Sequence, residues 1–564
     1  MAPRRPGSSR GRAAGRRPRR RRRRREERGV VGMISGDLCW GSLADDLIIG
    51  CDGKRRWAGA PRTLYATLEQ SARRYPHHDA VVDDDGTRTT YAALLDLVDR
   101  LAGRLERRLS VRPGDRVALL MEAGLPYVAS LYAVNRLGAA AVAVPTKCRR
   151  DEAVTLLYAA DVTHAVVGPE YEAWAPSLPV EPDRVLWASQ VAGGDVPAPA
   201  SAPHGDAASC ALMMFTSGTT SRAKAVMLSN ENVVHAALTY GRLCGTTIED
   251  RCLVCLPIYY VTGLVGLVAH FVAVGATVCL QRRFDAQRAL GRVAAEGVTY
   301  LHAAPAAFSR MLDERGAFPE LPSVRMVLSG SARETAATMD AFRRWMPQAQ
   351  FRVVYGLTET ASPALLFPGD TPSSPCPMAT GLPVPGMDAK IVDGAGNEVA
   401  DGAAGELWLR GTNVCEGYWR RQSDAHKGDG WFATGDVARL DHGLVWVVDR
   451  IKDMINRGGE KVWCSSLEEH LAAVPGVAAA LVAGIPSAAY GEVPVAVCVR
   501  EAGSRVSEQE VRSWLSGRVA RFEVPEHVVF ADELPLTPAS KPDRARAASI
   551  VLDHIAQERT AVHG

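Results

Sequence analysis

Leu94, Leu97, Val98, Leu101 and Leu105 recur three to four positions apart, the spacing of one apolar helix face, and predict a helix over residues 91–109. Shorter apolar runs, Arg116-Val117-Ala118-Leu119-Leu120-Met121 and residues 139–144, read as strands. Short strands alternating with Ala/Leu/Arg-rich helices imply sheets covered by helices, a layered α/β architecture. From Gly405 the pattern changes to short strands and turns, at 406–410 and 444–448. Beyond about residue 453 a compact α+β segment is predicted, with helices over 466–474 and 507–519 and strands over 478–483 and 493–500. The expected organisation is a large layered α/β domain over 60–450 and a small α+β domain over 453–550. Residues 191–208, rich in Ala, Pro, Gly and Ser, and residues 367–377, with four prolines, read as surface loops.

Composition narrows the class. Of 564 residues, 47% are hydrophobic and 23% charged, which excludes a wholly disordered, collagenous or disulfide-stapled chain. Twelve cysteines without regular spacing suit a reduced, cytoplasmic protein. The net charge of +3 hides an asymmetry: residues 1–28 hold 14 arginines against Glu26 and Glu27, a net of +12, and the other 536 residues sum to −9. No aromatic interleaves those arginines, so residues 1–32 are expected to be a disordered Arg-rich tail, or the product of a start upstream of Met33, rather than an arm for specific nucleic acid. Residues 261–280 lack Asp, Glu, Lys and Arg over a length that spans a bilayer. Gly275 divides them into a helix-like and a strand-like half, so a buried helix and strand are expected instead, and no transmembrane segment. Cys252 and Cys255 have redox or zinc spacing but no companion pair, and read as two cysteines of a buried strand.

The most informative stretch is Met213-Met214-Phe215-Thr216-Ser217-Gly218-Thr219-Thr220-Ser221-Arg222-Ala223-Lys224. An apolar strand enters a run of small and hydroxyl residues that ends in a lysine. Such a loop offers N–H groups and hydroxyls to phosphate oxygens, with Lys224 to neutralise them. It lacks the second glycine of a P-loop, and alone it also reads as a Ser/Thr-rich turn.

This stretch resembles the T-S-G-T-T-G-x-P-K-G signature of the adenylate-forming superfamily: acyl-CoA synthetases, adenylation domains of peptide synthetases, and luciferases. Further matches follow in the family's order, at Tyr355-Gly356-Leu357-Thr358-Glu359, Gly405-Glu406-Leu407, Trp431-Phe432-Ala433-Thr434-Gly435-Asp436, Asp449-Arg450-Ile451-Lys452-Asp453, Gly458-Gly459-Glu460-Lys461-Val462, and a final run from Leu534 to Lys541. Together they cover about residues 60–550.

The resemblance implies an ATP- and Mg²⁺-dependent acid–thiol ligase that activates a carboxylic acid as acyl-AMP, releases pyrophosphate and passes the acyl group to coenzyme A. By the same resemblance Ser217, Gly218, Thr219, Thr220 and Lys224 hold the β- and γ-phosphates, Thr358 contacts the α-phosphate and Glu359 is the metal ligand. Asp436 and Arg450 meet the ribose, while Gly330, Ser331 and Ala332, with Tyr355 and Gly356, flank adenine. Lys541 bridges the attacking carboxylate and the α-phosphate. Lys452 maps to the hinge of a mobile small domain, whose Gly458–Gly459 face then meets the adenylate and the thiol. The acid pocket is lined from Tyr260, Thr262, Ala303, Ser329 and Gly330. The 23 residues after Lys541 leave no carrier domain, which favours CoA as acceptor. The alternatives are transfer to a separate carrier protein, amine or other nucleophile, and a non-catalytic nucleotide-binding relative.

The chain departs from the family pattern at Ser221, Ala223, Ala225 and Ser540, which stand for Gly, Pro, Gly and Gly. If those glycine positions need positive φ, each change costs on the order of 1 kcal/mol. Tyr260 stands where many acyl- and aryl-CoA ligases place a histidine. An aromatic or short-to-medium acid is expected over a long fatty chain.

Overall fold

The predicted helix forms as Tyr91–Arg108, opened by the Thr90 hydroxyl, which accepts from the Ala93 N–H at 3.3 Å. The computed structural model describes residues 33–191, 199, 201–216, 224–537 and 541–563, without the side chains of 558–563. The Arg-rich tail, Ser217, Gly218, Thr219, Thr220, Ser221, Ala223 and Ser540 lie outside the described residues, as does most of 192–200.

Among the described residues two large sheets dominate. A seven-stranded sheet contains the parallel strands Cys210–Thr216, Ala140–Ala143, Arg116–Leu120, His164–Val167 and Val185–Trp187. A nine-stranded sheet carries Gln350–Tyr355, Met326–Ser329, Tyr300–Ala303, Arg251–Val254, Thr277–Leu280 and Asp79–Val82, all parallel. One apolar core takes side chains from both sheets and from the helices Leu64–Arg74, Tyr91–Arg108, Leu125–Arg136 and Asn230–Leu243. Ten of the twelve residues of Leu125–Arg136 are buried, which is why its sequence is apolar on every side rather than on one face. The far face of the nine-stranded sheet is covered by the helices Ala286–Glu296, Pro305–Asp313 and Ala336–Trp345. The result is the layered α/β architecture that alternation implied.

The 261–280 stretch resolves as expected. A π-helical segment, Thr262–Ala269, runs into the helix His270–Val274, and Gly275 turns the chain at φ +88° into the strand Thr277–Leu280. A Cβ at Gly275 would stand 2.5 Å from the Tyr75 ring, so both its φ and its close packing require glycine. No helix among the described residues is long and apolar enough to cross a membrane. Cys252 and Cys255 are buried free thiols.

A third sheet, of five strands, includes Met387–Val392, Gly405–Gly411, Phe432–Asp441 and Leu444–Arg450. Its edge strand is Ile34–Ser35, far upstream of the expected start at 60. Residues 33–57 are tied down by Arg55, which donates to Asp37 at 2.9 Å and Asp388 at 2.8 Å, and by Trp57, whose indole donates to Thr239 at 2.9 Å. The contacts to Asp388 and Thr239 join side chains 333 and 182 positions apart, so no local pattern announces them.

After Arg450 the chain leaves this sheet through the short turn Ile451–Asp453 and enters a separate one. That sheet pairs Ile455–Arg457, Glu460–Val462, Val477–Ser487, Gly491–Arg500 and Val528–Phe530. Cys464–Ala472 and Glu508–Leu515 cover one face, and Arg544–His563 packs Ala547 and Val551 on the other. The small domain is thus α+β.

Candidate functional site

Adjacent parallel strands of the nine-stranded sheet end in the residues singled out by sequence. Ala303 closes Tyr300–Ala303, Gly330 follows Met326–Ser329, and Tyr355 and Gly356 end Gln350–Tyr355. Ligands in open α/β sheets collect at this carboxyl edge. Close packing explains the small residues there: a Cβ at Gly330 would meet Val354 at 2.9 Å, and one at Gly356 would meet the Ser362 hydroxyl at 2.8 Å. Ser331 holds φ +71°, and Ala361 and Ser362 are also left-handed, so positive-φ residues other than glycine cluster at this edge.

Ser329 closes the strand Met326–Ser329. It is fully buried, and its hydroxyl donates to Glu334 at 2.6 Å, so it ties the base of the 330–333 loop rather than offering a polar group to an acid. Glu334 is buried with it, and burial pushes its carboxyl up. Arg333, on the same loop, reaches Glu469 of the small domain at 2.9 Å.

Asp436 lies on Phe432–Asp441 directly opposite Arg450. Its carboxylate accepts from the Tyr355 hydroxyl at 2.5 Å and pairs with Arg450 Nε at 3.0 Å. Burial pushes Asp436 up, against the lowering effect of Arg450 and Tyr355. Lys541 joins the same field. Burial, then Arg450, push its ammonium down, while Asp436 and Glu359 oppose that shift. The loop bearing it is closed by the Thr537 N–H donating to the Lys541 carbonyl at 2.8 Å and the Lys541 N–H donating to the Thr537 hydroxyl at 3.2 Å. A lysine from the small domain therefore feels the charges of Arg450, Asp436 and Glu359 of the large one.

Thr358 and Glu359 occupy the turn Thr358–Thr360, where the Leu357 N–H donates to the Thr360 hydroxyl at 3.0 Å. Lys224 opens the strand Lys224–Ser229, opposite Thr216, so the candidate phosphate loop is the connection of an antiparallel pair. Ala225 sits in this strand opposite Phe215, outside the positive-φ residues, so alanine for glycine is unstrained there. Between Lys224 and Glu359 stands Tyr418, which sequence reasoning missed: its hydroxyl donates to Glu359 Oε1 at 2.9 Å, and Lys224 Nζ lies 4.8 Å above its ring. Only its place in Gly417-Tyr418-Trp419 marks it in the sequence.

Tyr260 and Thr262 are half-buried at the start of the π-helical segment, with Tyr259 edge-on to Tyr260 at 4.6 Å. Burial pushes the Tyr260 phenol up to about 12, so it is neutral. Gly458 and Gly459 form an exposed turn at φ +62° and +98°, with nothing near a Cβ at Gly459. Lys452 lies in the turn Ile451–Asp453 between the two domains' sheets.

No group of three His, Cys, Asp or Glu among the described residues could hold a metal. A cation at Glu359 would draw most of its ligands from water and phosphate oxygens, which is the habit of Mg²⁺. The donor set fits that ion and not a protein-caged one.

Residues 68–419 match the AMP-binding enzyme family, and residues 466–541 match the AMP-binding enzyme C-terminal domain. Over 479 residues the chain is 34% identical to a feruloyl-CoA synthase from Amycolatopsis sp, covering 83% of this chain and 95% of that protein. It is 31% identical to an indoleacetate–CoA ligase from Aromatoleum aromaticum, covering 88% and 98%. Among solved structures, o-succinylbenzoate CoA synthetase from Bacillus subtilis, in complex with its acyl-adenylate intermediate, superposes with a TM-score of 0.78 at 27% identity, covering 85% of this chain and 97% of that one. With both of its domains matched in order, the chain belongs to the AMP-binding enzyme family, as an AMP-forming acid–CoA ligase.

Proposed function

We propose that this ligase activates a compact aromatic acid and transfers it to CoA, with the residue roles the family pattern implies. The observation that carries the assignment of roles is the Asp436–Arg450 pair at 3.0 Å with the Tyr355 hydroxyl on the same carboxylate, together with a small-domain lysine, Lys541, that feels the charges of Asp436, Arg450 and Glu359.

The chemistry accounts for those charges. Attack of a carboxylate on the α-phosphorus of ATP brings two anions together and expels pyrophosphate, so the protein must position the groups and neutralise charge. Lys541 bridges the attacking carboxylate and the α-phosphate, and Thr358 donates to that phosphate. Lys224, with Ser217, Gly218, Thr219 and Thr220, cradles the departing phosphates. Asp436 accepts from the ribose hydroxyls, held in place by Tyr355 and Arg450. Glu359 holds Mg²⁺, which supplies charge neutralisation on the phosphates when bound. In the second step the small domain turns at Lys452, and the Gly458–Gly459 turn, exposed in this arrangement, meets the thiol.

The acid is read from the pocket wall and from the relatives. The residues from which the family pattern lines the acid pocket, Tyr260, Thr262 and Ala303, are rings and small groups without a charge, which suits a flat apolar acid. The feruloyl-CoA synthase and indoleacetate–CoA ligase take aromatic acids, which supports the same class here. ATP–pyrophosphate exchange over a panel of cinnamic, arylacetic, benzoic, short-chain and long-chain acids tests it. Strongest exchange with long-chain acids would sink the substrate class. Exchange followed by transfer to a carrier protein but not to CoA would sink the acceptor.

A further inference from the structure

Lys224 and Glu359 come from different parts of the fold, and one side chain touches both. Tyr418 stands on the two-residue strand Gly417–Tyr418, which pairs with Lys224–Ser229 so that Val226 faces Tyr418. The next N–H, of Trp419, donates to the Ala225 carbonyl at 2.9 Å. Tyr418 is thereby fixed to the same backbone that carries Lys224. From there its hydroxyl reaches Glu359 Oε1 at 2.9 Å and its ring face meets Lys224 Nζ at 4.8 Å. A second tie holds Glu359 from the same segment: the Cys415 N–H donates to the Glu359 carbonyl at 2.7 Å. His426 packs edge-on against the ring at 5.9 Å, and Tyr418 is only 5% exposed, so the side chain is confined.

A lysine and a carboxylate this close to one ring would neutralise each other if they paired. Among the described residues no ion pair joins them. A neutral phenol gives each charge a weaker contact: one hydrogen bond to a single carboxylate oxygen, and one aromatic face to the ammonium. Among the described residues no hydrogen bond claims the other carboxylate oxygen or the ammonium protons, which suits them to a metal ion and to phosphate.

We propose that Tyr418 is a positioning residue for the nucleotide, holding the phosphate-side cation Lys224 and the metal-side carboxylate Glu359 apart and in register on a single strut. The proposal rests on the roles given above to those two residues, and its test separates the two readings. The full-length protein is titrated with ATP by calorimetry, once with Mg²⁺ and once with EDTA, as wild type and as Tyr418→Phe, Tyr418→Leu and Glu359→Gln. Tyr418→Phe keeps the ring and loses the hydroxyl, so affinity for ATP in Mg²⁺ falls about tenfold while affinity in EDTA is unchanged. Tyr418→Leu also loses the face under Lys224, so affinity in EDTA falls as well, by about fivefold.

Tyr418→Phe binding like wild type in Mg²⁺, while Glu359→Gln is weakened, would overturn the role of Tyr418 and leave Glu359 standing. So would equal weakening of Tyr418→Phe with and without Mg²⁺, the mark of a merely structural tyrosine. Glu359→Gln binding like wild type in Mg²⁺ would overturn the metal-ligand reading itself, and the strut with it. Should Tyr418→Leu fail to fold by circular dichroism, the Tyr418→Phe comparison decides alone.

Discussion

Arg333 of the large domain and Glu469 of the small domain form an ion pair at 2.9 Å across the boundary between them. Arg333 follows the Gly330–Ser331–Ala332 turn at a strand end, and Glu469 lies on the helix Cys464–Ala472. Their side chains are 33% and 47% exposed, so the pair contributes no more than about 1 kcal/mol to stability. Its consequence is for the balance between domain arrangements. A small domain that turns between two half-reactions must break this pair, whereas the thioester-forming arrangement loses nothing with it. Glu469→Gln is therefore expected to leave the melting temperature within about 2 °C and to speed thioester formation from supplied acyl-adenylate by about two- to fivefold. Stopped-flow or quench measurement of each half-reaction checks this; unchanged rates in both would mean that the pair does not bias the turn.

Asp436 joins two partners whose hydrogen bonds converge on it, Tyr355 and Arg450. Asp436→Ala is expected to weaken ATP binding by at least about tenfold, because ribose hydroxyls lose a charged acceptor worth about 1.5–3 kcal/mol per bond. It also leaves the Tyr355 hydroxyl and Arg450 without their carboxylate, so a loss of stability accompanies it. Asp436→Asn keeps the shape and part of the hydrogen bonding, and separates the two effects. Unchanged nucleotide affinity in a folded Asn variant would sink the ribose assignment.

The legible part of this site is the part carried by contiguous motifs. Tyr355, Glu359, Asp436, Arg450 and Lys541 each sit in a run whose order along the chain is itself information. Helical spacing likewise sufficed for Tyr91–Arg108, and the strands expected over 478–483 and 493–500 fall within Val477–Ser487 and Gly491–Arg500. What escaped is set by contacts between segments far apart. Tyr418 matters because a strand pairing places it between Lys224 and Glu359, and no spacing in the sequence encodes that triangle. Residues 33–57 fall outside the domain expected over 60–450, yet Trp57 is buried against Thr239 and Ile34–Ser35 completes a sheet with residues near 388. At Ser329 the sequence marks a strand end but not the hydrogen bond that its hydroxyl donates to Glu334.

That upstream segment gives a truncation test. Removing residues 1–32 is expected to leave melting temperature and acid-dependent pyrophosphate release unchanged, since the family match begins at residue 68, well after them. Removing residues 1–57 also takes Arg55 away from Asp388 and strips out Trp57, which is 1% exposed. Loss of such an aromatic alone costs about 3–5 kcal/mol. A melt of each truncated protein decides; a full-length melting temperature for the longer deletion would show that 33–57 is only an overlay.

Three buried imidazoles make stability sensitive to mild acid. Burial holds His235 and His270 down to about 4 and His302 to about 3. In the unfolded chain each titrates near 6.5, so the folded state binds fewer protons than the unfolded one between those values. Their contribution is fully present above about pH 6.5 and is lost as pH falls toward 4, at up to about 1.4 kcal/mol per pH unit for each histidine. His302 is the clearest probe, because its Nδ1 is buried without a hydrogen-bond partner and a leucine there breaks no bond of that atom. Urea midpoints at pH 7, 6 and 5 should fall steadily in the wild type, and His302→Leu should reduce the slope. An unchanged slope would mean that His302 is protonated in the folded protein.

Lys541 is the one lysine of the small domain that stands in the field of Asp436 and Glu359. If it bridges the carboxylate and the α-phosphate only while the adenylate forms, Lys541→Ala should cripple the first half-reaction and spare the second. Removing a cation from a site where charge develops commonly costs about 3–4 kcal/mol, a hundredfold or more in rate. Supplying synthetic acyl-adenylate and CoA bypasses the damaged step, because the turned domain has by then carried residue 541 away from the acyl-phosphate bond. Thioester formation near the wild-type rate from that adenylate, with little from free acid and ATP, is the expected result. Equal losses in both assays would mean that Lys541 acts in both steps or holds the domain together, and the melting temperature distinguishes these. In this arrangement burial and Arg450 push the Lys541 ammonium down. Its protonated form is therefore lost at lower pH than that of a free lysine, and adenylation should decline at alkaline pH before transfer does. An identical alkaline limb for both half-reactions would show that Lys541 is not the group whose charge the first step needs.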